Sequence, residues 1–149
     1  MIISSFDSDF FQLITNHVSV LRYRGDKTVI CTPDFIKEKF GIAPSQYADF
    51  KSLVGDVSDN IKGADRVGPK TAALLLNEFG TLQNILINAD KIKRPSIRES
   101  VTGNSERLKM NYKIIRLDNS ALLPFEISEL KYTFTEITTN EVLKGIGLK

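Results

Sequence analysis

One cysteine, one histidine and no tryptophan occur in the 149 residues. Cys31 has no partner for an internal disulfide, and with His17 it makes too few soft ligands for a structural zinc. No apolar run approaches the roughly 20 residues of a membrane-spanning helix, so no membrane role is expected. Low-complexity tracts and internal repeats are also missing. The opening Met1-Ile2-Ile3-Ser4-Ser5-Phe6-Asp7 has no basic segment and meets an acid at Asp7, so the expectation is a cytoplasmic protein without a secretory leader. The remainder, 42% hydrophobic and 26% charged, describes a soluble globular chain with apolar material for one core.

The net charge of +2 hides an asymmetry. Residues 1–59 hold six Lys/Arg against eight Asp/Glu, residues 60–116 hold eleven against five, and residues 117–149 hold three against five. A basic middle between acidic flanks suits a polyanion on one face, with acids nearby that could hold a cation.

Periodicity and turn residues predict the elements. Ile2-Ile3-Ser4-Ser5 reads as a short buried strand that breaks at Phe6-Asp7-Ser8-Asp9. Val18–Leu21 and Thr28–Cys31 are β-branched runs joined through Gly25-Asp26, a hairpin pattern. Thr32-Pro33 starts a helix with Phe35, Ile36 and Phe40 on one face, and Gly41 stops it. Pro44 opens a second helix with Tyr47, Phe50, Leu53 and Val54, predicted to end in the loop Gly55–Asn60. Pro69 begins a third that Gly80 closes, and Thr81 caps a fourth through Leu82, Ile85 and Leu86. A basic segment, Lys91–Arg98, leads through Gly103-Asn104-Ser105 into a helix bearing Leu108, Tyr112 and Ile115. Beyond Leu122, an extended stretch around Tyr132-Thr133-Phe134 and a terminal helix capped by Thr139 are predicted. Tyr112, Phe125, Tyr132 and Phe134 read as core because their neighbours are apolar. Cys31 reads as a small buried residue and His17 as a surface one.

Gly63 to Gly68 followed by Pro69-Lys70-Thr71 comes close to a phosphate-cradling P-loop. Pro69 breaks the required Gly-Lys-Thr contiguity, and the loop is predicted to follow a helix where a P-loop follows a strand. Nucleotide hydrolysis is therefore rejected. A helix–hairpin–helix fits better: hairpin amides and the second helix's N-terminus face one DNA phosphate, with Lys62 and Lys70 adding charge. Such a contact positions DNA without reading sequence. An ordinary αα-hairpin, whose glycines only make the turn, fits the same spacing. Asp7 and Asp9 end a strand, and Asp56 and Asp59 lie one turn apart in a helix-terminal loop. Oxygen-only pairs of this kind suit Mg²⁺ or Mn²⁺, yet Asp is equally at home there as a cap or turn residue. The basic set Lys91, Lys93, Arg94 and Arg98, with Arg107, Lys109, Lys113 and Arg116, reads either as a backbone-tracking DNA surface or as a solvated face.

Four segments together resemble the 5′-3′ exonuclease and flap endonuclease family, which includes the nuclease domain of bacterial DNA polymerase I. They are Ile3-Ser4-Ser5-Phe6-Asp7-Ser8-Asp9 with Gln12-Leu13, and Gly41-Ile42-Ala43-Pro44 with Gln46-Tyr47 and Asp49-Phe50. Leu53-Val54-Gly55-Asp56-Val57-Ser58-Asp59-Asn60-Ile61 follows, then Val67-Gly68-Pro69-Lys70-Thr71-Ala72 with Leu75-Leu76 and Phe79-Gly80. The resemblance covers about residues 2–120. It implies metal-dependent phosphodiester hydrolysis in DNA replication and repair, with Mg²⁺ or Mn²⁺ as cofactor. Asp7, Asp9, Asp56 and Asp59 match the acids that bind the second of two metal ions in the family. The matching helix–hairpin–helix, here with Lys62, Gly63, Arg66, Gly68, Lys70 and Thr71, holds duplex or branched DNA without sequence preference. In some members the hairpin backbone also binds a monovalent cation.

Two departures stand out. Where the family reads Pro-Gly-Val-x-Gly-Ile-Gly, this chain has Lys62-Gly63-Ala64-Asp65-Arg66-Val67-Gly68, so Arg66 replaces the middle glycine. A positive φ there would strain the hairpin, whereas Lys62 and Arg66 add charge for a phosphate. Family members also carry, before the segment matching Met1, a first strand with an Asp, a Glu-Ala-Asp-Asp run and a helical arch that threads the 5′ end. The sequence contains none of these. The first metal's ligands are therefore expected on a separate N-terminal half, and the chain alone is expected to be inactive.

The expected fold is α/β and predominantly helical, a short N-terminal strand and hairpin followed by the helix–hairpin–helix region. Residues 1–43 are assigned to the C-terminal part of the nuclease α/β core, 44–120 to the DNA-binding region, and 121–149 to an extension packing on the core. A non-catalytic helix–hairpin–helix module and a helical interaction protein are the competing classes. Retention of all four acids weighs against both, because a pure clamp gains nothing from negative charge beside phosphate.

Overall fold

The computed structural model describes residues 1–130, 138–145 and 147, in two units, Met1–Leu117 and Asp118–Lys149. The first unit opens with a three-stranded sheet of β1 (Ile2–Ser4), β2 (Ser19–Arg22) and β3 (Val29–Cys31), in that order. β1 runs parallel to β2 with Ile3 opposite Val20, and β2 and β3 form the predicted antiparallel hairpin with Val20 opposite Cys31. Strand side chains alternate, so Ile3, Val20 and Cys31 share the face turned to the core. Ile2 and Ile30 lie on the other face and are exposed. Among the described residues β1 pairs with β2 alone, leaving its second edge free.

Between β1 and β2 the chain winds into a 3₁₀ helix, Ser8–Leu13. Phe11 drives it inward, fully buried and edge-on to Tyr47 with ring centroids 5.2 Å apart. Truncating such a residue costs about 3–5 kcal/mol. Helix α1 (Pro33–Phe40) starts where Thr32 Oγ1 accepts the Phe35 amide at 3.3 Å and stops at Gly41, whose φ is +73°. A 3₁₀ turn, Pro44–Gln46, then feeds α2 (Tyr47–Val54). Gln46 Nε2 donates to the Leu76 and Gly80 carbonyls at 3.0 and 2.8 Å, satisfying the end of α3 (Pro69–Phe79). After α3 come α4 (Leu82–Ile87), α5 (Pro95–Gly103) and α6 (Ser105–Ile115). Helix α2 is the hub: Tyr47, Phe50 and Leu53 are buried in one core with Leu76, Ile85, Val101 and Leu108.

Three expectations need correcting within this unit. The basic segment Lys91–Arg98 is not a plain lead-in, since Pro95 starts α5 and Arg98 returns to the Ile92 carbonyl through Nε and Nη2 at 3.0 and 2.7 Å. Only Ile97 and Val101 of α5 are buried, too sparse a repeat to read as an amphipathic face. Gly55–Asn60 is likewise more than a loop: β4 (Gly55–Asp56) pairs antiparallel with β5 (Ile61–Lys62). The 63–68 hairpin therefore follows a two-residue strand, and rejection of the P-loop rests on Pro69 alone.

The second unit has a 3₁₀ turn at Ile127–Glu129 and α7 (Thr139–Gly145). Its cap is Thr138 and not Thr139: the Glu141 carboxylate accepts the Thr138 amide at 2.8 Å, and Thr138 Oγ1 accepts the Glu141 amide at 3.4 Å. Phe125 is exposed, contrary to its core assignment. The extended stretch expected at Tyr132-Thr133-Phe134 lies outside the described residues. No helix among the described residues is long and apolar enough to cross a membrane.

Candidate metal and DNA site

Helix α2 ends at Gly55, with φ +90°, where a Cβ would stand 2.6 Å from the Gly63 nitrogen. A Cβ on Gly63 would meet the Leu53 carbonyl oxygen at 2.3 Å. The ribbon thus folds straight back onto the last turn of α2, an approach that only glycine allows. The Ala64 amide seals it, donating to the Leu53 carbonyl at 2.8 Å. Gly63 is accordingly buried inside this contact, while Lys62, Arg66, Gly68 and Lys70 are exposed around it and Thr71 is partly so.

The turn Ala64–Val67 closes by a Val67 amide to Ala64 carbonyl bond of 3.2 Å. Arg66 within it has φ +65°, so the position demands the left-handed region and the arginine adopts it, at a cost of roughly 1–2 kcal/mol. Helices α5 and α6 hold the strained turn. Ser100 Oγ donates to the Asp65 carbonyl, and the Asp65 carboxylate meets Lys62 at 3.3 Å and Arg107 at 3.9 Å. Arg107 Nη2 also donates to the Gly63 carbonyl at 2.8 Å, and Asn111 Nδ2 bridges the Lys62 and Ser52 carbonyls at 2.9 and 3.1 Å. Asn111 has no signature in the sequence and Arg107 shows there only as one of a basic set, because contacts across such chain separations carry no local signal.

Beyond the turn, Gly68 is extended, and no atom lies within 4 Å of where its Cβ would be, so the fold itself does not require glycine there. It precedes the 11-residue α3, which has neither a side-chain cap nor an acid in its first turn. The first intrahelical bond is from the Ala72 amide to the Gly68 carbonyl at 2.9 Å, which leaves the Lys70 and Thr71 amides without helical partners. Uncapped amides, the helix dipole and exposed Lys70 give this end a positive field suited to an anion.

The four acids divide by environment. Asp7 is the cap of the first 3₁₀ helix, its carboxylate accepting the Asp9 amide at 2.9 Å. Asp9 is half-buried, and among the described residues its buried Oδ1 has no hydrogen-bond partner. Burial, then the charge of Asp7, pushes the Asp9 carboxyl above its ordinary value, with Asp56 and Asp59 adding to the effect and Lys51 opposing it. Asp56 is buried at the end of β4, and both its oxygens are engaged. Oδ2 pairs with the largely buried ammonium of Lys51, and Oδ1 accepts the Ser58 amide and hydroxyl at 3.1 and 2.5 Å. Burial alone would raise its carboxyl, but the bonds from Lys51 and Ser58 outweigh that and leave it below the usual range. Asp59 is exposed. The four carboxylates share one electrostatic neighbourhood, yet among the described residues no three His, Cys, Asp or Glu side chains gather closely enough to hold a metal ion. The donor set, all carboxylate oxygen with one buried oxygen bare, fits a hard divalent cation in its chemistry, as an open set and not a closed cage.

A small sheet, a helical core and a glycine-bearing ribbon that runs into an uncapped helix define the class of fold, and comparison with known proteins specifies the family. Residues 42–138 match the family described as 5′-3′ exonuclease, C-terminal SAM fold. The chain is 39% identical over 121 residues to DNA polymerase I of Thermus thermophilus, covering 81% of this chain and 14% of that protein. It is 36% identical over 143 residues to the 5′-3′ exonuclease of Buchnera aphidicola from Schizaphis graminum, covering 95% of this chain and 47% of that one. A solved T5 5′-exonuclease with bound zinc ions superposes with a TM-score of 0.68 at 22% identity, over 76% of this chain and 42% of that one, and shares the fold. This chain belongs to the 5′-3′ exonuclease family. It spans less than half the length of these relatives.

Proposed function

We propose that this chain supplies the DNA clamp and one metal ion's carboxylates for a 5′-3′ exonuclease or flap endonuclease, with the remainder of the site contributed by an N-terminal nuclease half. One observation carries the reading. The short β4–β5 ribbon carries Asp56, and the 63–68 turn that follows it runs into the uncapped N-terminus of α3, so one continuous stretch of chain bears both a candidate metal ligand and a candidate phosphate contact. Lys70, Arg66 and Lys62 supply point charge, and the Lys70 and Thr71 amides supply directional donors. None of these reads a base, so binding follows DNA shape and backbone, duplex or branched, without sequence preference. Asp7, Asp9, Asp56 and Asp59 would hold Mg²⁺ or Mn²⁺, which when bound neutralises phosphate charge and lowers the pKa of bound water. The protein's own work is to bring Asp9 into one neighbourhood with the other acids, to orient Asp56 through Ser58, and to fix the hairpin through Arg107 and Asn111. A monovalent cation at the hairpin backbone, a cytoplasmic location and a role in replication or repair belong to the same proposal.

The test is a gel assay on a 5′-flap substrate. It uses the chain alone and the chain mixed with the N-terminal portion of a relative's nuclease region, each with and without Mg²⁺ or Mn²⁺. The chain alone should bind but not cut, and the mixture should cut only with the divalent ion. Robust metal-dependent cleavage by the pure chain alone refutes the half-site reading. Binding without cleavage in every mixture favours the non-catalytic module.

A further inference from the structure

Lys51 lies in the last turns of α2, and among the described residues its ammonium is the one cation paired with the acidic neighbourhood's buried member, Asp56. The contact is to Oδ2, the Asp56 oxygen that Ser58 leaves free. A divalent ion bound through that oxygen would need the space the ammonium fills. The same lysine also offsets the crowding of negative charge on Asp9, whose buried Oδ1 has no partner of its own. We propose that Lys51 is a built-in counter-cation that competes with the divalent ion for Asp56: it holds the carboxylates together while the metal is away and must leave Asp56 Oδ2 for the metal to be ligated there. This rests on the reading that these acids hold a divalent ion, and it adds that the chain's own lysine sets how tightly they do so.

Two consequences follow with opposite signs. Without its ammonium, the chain should be less stable in the absence of metal, because buried Asp56 loses its cationic partner. It should also bind the divalent ion more tightly, because no internal cation has to be displaced. Lys51→Met keeps the length of the aliphatic stem and removes the charge, whereas Lys51→Arg keeps the charge.

The experiment measures Mn²⁺ binding to the full chain by calorimetry, alongside melting temperature with and without Mn²⁺. The Met variant should melt lower than wild type without metal. It should bind Mn²⁺ about fivefold more tightly, the equivalent of roughly 1 kcal/mol. The Arg variant should stay near wild type on both counts. A second measurement needs no variant to fold: nitrogen-15 NMR of the wild-type lysine ammonium groups should show the Lys51 signal shifting as diamagnetic Mg²⁺ is added. A folded Met variant with unchanged or weaker Mn²⁺ affinity overturns the role of Lys51, as does a Lys51 signal indifferent to saturating Mg²⁺. Failure of every form to bind Mn²⁺ overturns the metal reading itself and this inference with it.

Discussion

Replacing Arg66 by Gly should separate fold stability from DNA binding. Arg66 sits at φ +65° in the turn before α3, where a side chain costs roughly 1–2 kcal/mol relative to a residue without Cβ. Glycine removes that strain but gives the unfolded chain more freedom, a counter-term of about 0.4–1 kcal/mol. The difference leaves a net gain of about 0.5–1 kcal/mol, seen as a rise of a few degrees in melting temperature for a unit of this size. The Asp65 contacts to Ser100, Lys62 and Arg107 use backbone or side-chain atoms of other residues, so the turn keeps its clamps. The lost guanidinium has a separate signature. If it neutralises one phosphate, the slope of log binding constant against log salt should fall by about 1, equally for unrelated duplex sequences. Circular dichroism melts and fluorescence anisotropy over a salt series measure the two effects. A lower melting temperature would show that the left-handed turn carries no relievable strain, and an unchanged salt slope would remove Arg66 from the DNA surface.

Gly63→Ala should destabilise the chain by about 1–3 kcal/mol or more in denaturant melts, because its Cβ falls 2.3 Å from backbone that cannot yield cheaply; a neutral outcome would refute the close-approach account. Lys70→Ala should lower the salt slope by about 1 with no change in melting temperature, since Lys70 is exposed and among the described residues no hydrogen bond or ion pair uses its ammonium. Asp49 is buried and accepts the Leu82 amide at 2.8 Å; burial, partly offset by that bond, holds its proton above the ordinary value. The folded state therefore binds this proton more tightly than the unfolded state, a contribution complete below the ordinary value and lost as pH rises through the raised one. Asp49→Asn keeps the acceptor and should raise stability near pH 7 relative to wild type, whereas Asp49→Ala should cost about 1–3 kcal/mol; melts at a series of pH values from about 3, below the ordinary carboxyl value, upward check both. Asp56→Asn should abolish cleavage in the reconstituted mixture while DNA affinity stays level or rises, and full activity would remove Asp56 from the metal.

Local chemistry fixed what lies within one turn of the chain. Thr32-Pro33 with Gly41 and Pro69 with Gly80 mark helix ends at the positions observed, because capping and the φ limits of proline and glycine act over neighbouring residues only. The β2–β3 hairpin and the helix bearing Leu108 and Ile115 were legible for the same reason, through short-range periodicity. Order of motifs along the chain was enough for the family. Tertiary structure decided the rest. Two-residue strands β4 and β5 exist only because Gly55 and Gly63 let the chain fold back on α2, and α5 forms around just two buried residues. Whether Arg66 could replace a glycine depended on clamps from Arg107 and Asn111, which reach across 44 and 49 residues to the hairpin. The charge state of the acids was likewise a matter of three-dimensional placement. Asp7, Asp9, Asp56 and Asp59 look alike in sequence, but burial leaves Asp9 with an unpartnered oxygen and gives Asp56 to Lys51, because desolvation and Coulomb coupling depend on distance and not on spacing along the chain.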